Sequence, residues 1–120
     1  MGPSSHKKKF AIPADRLQPL AVGHGSCIAT DRITVEGRRV GFMYRERAHG
    51  VDSGWRFFAG DEPPEFAENP KNIDVYDVNT IANYDPEIVP LLTEPVGSAF
   101  IRATKDGPLV RDEGWTQPQD

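Results

Sequence analysis

Apolar and polar positions alternate most clearly over residues 40–62, VGFMYRERAHGVDSGWRFFAGDE. Val40, Phe42 and Tyr44 fall on one side of an extended segment, Gly41, Met43 and Arg45 on the other, and Trp55, Phe57 and Ala59 repeat the alternation. The pattern predicts a β-hairpin. Its connection, about residues 46–54, is polar and carries two glycines, which suits an open surface loop better than a two-residue turn.

Shorter patterns flank the hairpin. Before it, Pro13 primes a helical turn over residues 14–17 that Pro19 limits and that would pack on the sheet edge. Residues 26–30 and 33–35 read as short strands broken near Asp31-Arg32, and Glu36-Gly37 turns the chain into the hairpin. After it, Pro63-Pro64 beside carboxylates opens a short helix over about 64–68, which Asn69-Pro70 stops. Ile73 and Val75 mark a brief extended piece. Asp77 or Asn79 then caps a helix reaching about Tyr84, with Val78, Ile81 and Ala82 inward. Asp85-Pro86 starts a second, irregular helix carrying Ile88, Val89, Leu91 and Leu92 around Pro90. Residues 96–104 read as a strand, Asp106-Gly107 as a turn and Leu109-Val110 as a short returning strand. The elements predict an α+β fold: one small domain, mainly antiparallel sheet, with a central hairpin and a few short helices. The expected limits are a disordered basic start at 1–9, the domain at 10–110 and a loose tail at 111–120 in which Trp115 has no assigned role.

Composition narrows the classes. A chain of 120 residues forms one core that buries roughly two-thirds of the unfolded surface. Its 11 glycines and 11 prolines favour turns and short elements over long helices. No apolar run approaches the roughly 20 residues of a membrane helix, and Lys7, Lys8 and Lys9 are not followed by a signal-peptide core. A single cysteine excludes an internal disulfide and any multi-cysteine zinc site. These features predict a cytoplasmic protein without a membrane partner. The pattern sets no oligomeric state.

Charge adds a direction. Residues 1–60 hold 10 Lys and Arg against 5 Asp and Glu, whereas residues 61–120 hold 4 against 13. Nine carboxylates between Asp61 and Glu94 face one lysine, Lys71. Such a field repels nucleic acid and attracts a basic surface; a plain solubilising flank is the other reading.

Candidate chemistry is sparse. A thiol nucleophile needs a nearby base, so His24 with Cys27 is the enzyme-like pair, in a small enzyme or ligand-binding regulatory domain with a pocket beside the hairpin. Against it, Cys27-Ile28-Ala29 reads as a core strand. Asp74 and Asp77 suit a hard cation only in part, because no calcium-loop spacing is present and a helix cap explains Asp77. Phosphate loops, nucleophile elbows and zinc spacings are missing, so no cofactor and no metal is expected. In Trp55-Arg56-Phe57-Phe58, Trp55 and Phe57 point to the core. Arg56 and Phe58 then either form an interface or lie beneath a second cover with Arg56 paired to a carboxylate.

Three linked stretches, CIATDRITVEGRRVGFMYRE, DSGWRFFAGDE and IDVYDVNTIANYDPEIVPLL followed by VGSAF, resemble a bacterial family first catalogued as a domain of unknown function and later assigned to the immunity proteins, family thirty-three. The likeness covers about residues 10–110. It implies an α+β domain that protects bacteria by binding a cognate toxin of polymorphic secretion systems, without catalysis. Family motif positions matched here include Gly54, Trp55, Phe57, Gly60, Asp61, Asn79, Asn83, Tyr84, Asp85 and Pro86, none with a catalytic role. Pattern and resemblance together nominate Trp55, Arg56, Phe58, Asp61, Glu62, Asp74, Asp77, Asn79, Asn83, Tyr84 and Asp85 as partner-binding, with a basic toxin as the partner.

Overall fold

The hairpin lies at the middle of one sheet. A computed structural model describes residues 8–116, and the basic start through Lys7 and the last four residues lie outside the described part. In chain order the elements are β1 (Ser26–Thr30), α1 (Asp31–Thr34), β2 (Phe42–Arg45), β3 (Asp52–Phe58), α2 (Pro64–Ala67), β4 (Ile73–Asp77), α3 (Val78–Tyr84), β5 (Ala99–Arg102) and β6 (Leu109–Arg111). Short 3-10 helices occupy Ala14–Arg16, Pro70–Asn72 and Pro86–Leu91. The six strands form one sheet in the order β4-β1-β3-β2-β5-β6, antiparallel except where β1 runs parallel to β3. This is the expected α+β architecture.

Register sorts the side chains. Met43 lies opposite Phe57 and Phe100, and Ala29 opposite Phe57, so Cys27, Ala29, Met43, Trp55, Phe57 and Phe100 share the inner face. Against it pack Val78, Ile81 and Ala82 of α3, spaced as one helical face, with Ile33 of α1 and with Ile88 and Leu92. Phe42, Tyr44, Arg56 and Phe58 take the other, outer face. Val40, expected beside Phe42, instead lies ahead of β2 and is buried.

Two further readings change. Residues 33–35, expected as strand, belong to α1 and its C-cap: β-branched Ile33 and Thr34 are both buried, and that burial outweighs their strand propensity. The N-terminal segment packs on a helix rather than a sheet edge, because Asn79 and Asn83 of α3 hold its backbone at Gln18, Leu20 and Ala21. Gly54 lets the hairpin loop close. It has φ of +89°, and a Cβ there would overlap the Glu46 carbonyl.

Candidate functional site

The nominated residues divide into a buried scaffold and an accessible surface. Trp55, expected on a partner surface, is 0% exposed and donates from Nε1 to the Leu92 carbonyl at 3.1 Å. Asp85, also expected there, is 1% exposed. Its carboxylate accepts from Arg102 at 2.6 Å, from the Val40 amide at 3.1 Å and, as the cap of the Pro86–Leu91 turn, from the Glu87 amide. Tyr84 is nearly buried; its hydroxyl accepts from the Ile12 amide and donates to the Thr34 carbonyl. The Asn79 side chain accepts from the amides of Leu20 and Ala21 and donates to Gln18, to which Asn83 also bonds. Two amides one helical turn apart form a backbone clamp, and their i, i+4 spacing is the sequence signal for it.

The acidic stretch is largely neutralised in three dimensions. Asp61 pairs with Arg32 and Arg38, Asp74 with Lys8, Glu87 with Arg39 and Arg102, and Glu94 with Arg111. Arg38 holds the Asp61 carboxyl below the usual range, and Arg102 does the same to Glu87. Glu62 accepts from Thr30 Oγ1 and from the amides of Ala59 and Gly60. Asp77 caps α3 through the Asn79 amide. Glu65 and Glu68 make no ion pair among the described residues. Asp74 and Asp77 sit at positions of opposite parity on β4, so their carboxylates do not converge. Among the described residues no three of His, Cys, Asp and Glu are grouped to hold a metal ion, and no helix is long and apolar enough to cross a membrane.

What the fold does bring together is the outer sheet face. Phe42, Tyr44 and Phe58 lie with ring centroids 5.8–5.9 Å apart, and Trp115 stacks on Tyr44 at 4.8 Å. The segment after β6 thus returns to the sheet. Beside these rings Arg56 donates bidentately to Asp52, at 2.9 Å for both bonds, and to Glu46 at 2.5 Å. The Arg56 bonds depress the Asp52 carboxyl pKa, and partial burial raises that of the Tyr44 phenol. Of the two readings of this strand, Arg56 follows the paired one, with Asp52 and Glu46 as its carboxylates, and Tyr44, on which Trp115 stacks, lies opposite it in the register. Sequence reasoning placed Arg56 and Phe58 here but missed Tyr44, Glu46, Asp52 and Trp115. Parity along β2 and β3 signals the first three; nothing local signals Trp115.

Cys27 is 1% exposed on the inner face, and burial pushes its thiol pKa well up, the opposite of nucleophile activation. His24 makes no hydrogen bond among the described residues. Cys27 is therefore expected to resist aqueous thiol reagents in the native protein and to react fully once denatured; rapid native alkylation would restore the catalytic reading.

The family comparison agrees with the resemblance. The sequence profile of the immunity protein Imm33 domain matches residues 27–115, from Cys27 to Trp115, so it leaves out residues 10–26 and extends past 110 to include the stacked tryptophan. No curated protein and no solved structure matches the chain.

Proposed function

Because this chain belongs to the Imm33 immunity protein family, we propose that it is a non-enzymatic binding module that neutralises a cognate toxin in the cytoplasm by direct contact, through a surface where aromatic side chains adjoin carboxylates. The family match carries this reading. Support comes from the chemistry of the chain: its one thiol is buried and held protonated, whereas its accessible aromatic and acidic groups lie side by side on the sheet. Carboxylates suit a basic partner, as they would where a toxin uses cations to hold phosphate.

Co-expression with the product of the adjacent gene, as the candidate toxin, tests the proposal. Growth should be restored only when this protein is present, and the pair should purify as a complex at low salt. Equal killing with and without it, together with no complex, would overturn the reading for that pair.

A further inference from the structure

The two faces of the sheet are unequally covered. The inner face is filled by α1, α3 and the residues after Asp85. On the outer face Ile101 lies opposite Phe42 and Val110, and Val75 opposite Ile28. Val75 is 63% exposed, Ile101 39% and Val110 48%, so three large apolar residues flank the half-buried rings in the centre.

Charge gives this face a polarity. Asp77 lies opposite Ser26, Ser26 opposite Asp52, and Glu46 continues the parity of Tyr44, which brings three carboxylates to one end of the face. Arg56 is held between Asp52 and Glu46, whose side chains stay about one-third exposed. Five of the chain's own arginines, Arg32, Arg38, Arg39, Arg102 and Arg111, are already held by its carboxylates, which leaves a second copy fewer cations to offer that end, Arg16, Lys71 and Lys105 among them.

We propose that the outer face is the toxin-docking surface, and that its occupant is a basic patch of the toxin that sets an apolar or aromatic side chain against Tyr44 and Trp115 and its cations over Asp77, Asp52 and Glu46. The proposal rests on the binding function above and specifies its site. Five inter-strand gaps and strands of about five residues give a face of roughly 24 by 16 Å, or about 400 Å², near half of what one partner in a standard interface supplies. The rim completes it. Val51 stands beside the acidic end, its carbonyl accepting from Ser26, and a groove of about 730 Å³ lined by Gly41, Ala59, Ile101 and Lys105 opens at the other end. Trp115 is ordered before binding by the Tyr44 stack and by the Asp112 amide on the Ala99 carbonyl, which lowers the entropy cost of using it as an anchor.

Binding kinetics with the purified product of the adjacent gene, as the candidate toxin, across a salt series and on variants shown to be folded by circular dichroism, test this. Ile101→Lys and Val75→Lys should each weaken binding tenfold or more, and Trp115→Ala should speed dissociation about tenfold. Glu46→Gln should slow association about threefold at low salt, with the difference vanishing at high salt. Leu20→Lys and Val22→Lys, exposed beside α3, should bind like the wild type. A wild-type complex that tolerates the outer-face changes but is lost with Leu20→Lys or Val22→Lys overturns the docking surface and leaves the binding function intact. Absence of any wild-type complex removes both. Outer-face variants that dissociate a dimer of the free protein while leaving toxin binding unchanged would make this face a self-interface and also overturn the proposal.

Discussion

Replacing Asp85 with alanine is expected to remove about 3–5 kcal/mol of folding stability, because it strands the buried Arg102 guanidinium. Arg102 donates to Asp85, to Glu87, to the Gly107 carbonyl and to the Val40 carbonyl, tying β5 to the segment before β2 and to the turn after α3. Without Asp85 the charge keeps only Glu87, which is half-exposed, and the amides of Val40 and Glu87 lose their acceptor. For about 120 residues the total stability is roughly 6–18 kcal/mol, so the variant should be marginal and its Tm lower by about 10–25 °C. Urea unfolding measures it. The double variant Asp85→Ala/Arg102→Met should lose less than the two single changes together, since it removes the stranded charge. A loss below about 1 kcal/mol for Asp85→Ala would mean that the pair does not hold the fold. Any loss of toxin protection in this variant should follow the unfolded fraction and recover on cooling, which separates it from a lost contact.

Much of the fold was legible because its signals are local. Alternation through Phe42, Tyr44, Trp55 and Phe57 marked the hairpin, Asp77 ahead of Val78, Ile81 and Ala82 marked α3, and Asp85-Pro86 marked the turn that follows. Illegible features depend on distant partners. A four-residue helix such as α1 spans scarcely one turn, so Ile33, Thr34 and Val35 read as strand until burial decides. The parallel pairing of β1 with β3 leaves no turn in the sequence between them, because the hairpin partner β2 intervenes. Charge misled for a related reason. The acidic run at 61–94 looks like a surface field, but arginines from the first half return to Asp61, Asp85 and Glu87. Of the three carboxylates that matter for the proposed docking, Glu46 and Asp52 come from the half of the chain that is net basic, and Asp77 alone comes from the acidic run.

The family motif positions take on a physical meaning from the same comparison. Gly54 allows the loop to close, Trp55 and Phe57 fill the inner face, Asn79 and Asn83 clamp the N-terminal segment, and Asp85 neutralises Arg102. Such positions specify the scaffold. The outer face, built from alternate positions of the same strands, can then vary in its side chains without disturbing that scaffold, which is what proteins matched to different partners need.

Trp55 tests that division most sharply. Its indole is fully buried between Phe57 and Phe100, at 6.1 and 6.4 Å, with the Arg45 guanidinium 5.7 Å from the ring centre on a side chain that also bonds the Ser53 and Glu94 carbonyls. Trp55→Ala should cost about 3–5 kcal/mol through the cavity it leaves. Trp55→Phe keeps an aromatic ring but leaves the Leu92 carbonyl without its donor, for a smaller loss of about 1–3 kcal/mol. The smaller change keeps enough fold to ask the functional question. If the inner face is scaffold and the outer face docks the toxin, folded Trp55→Phe protein should dissociate from toxin at the wild-type rate while unfolding at lower urea. Trp115 is then the only tryptophan, and its emission should shift to the blue as the complex forms. In Trp115→Phe, where Trp55 alone remains, emission should begin blue-shifted and stay unchanged on binding. A Trp55→Phe variant with wild-type stability would remove the Leu92 bond from the account of the core, and one that is stable but releases toxin faster would place the inner face in the interface after all.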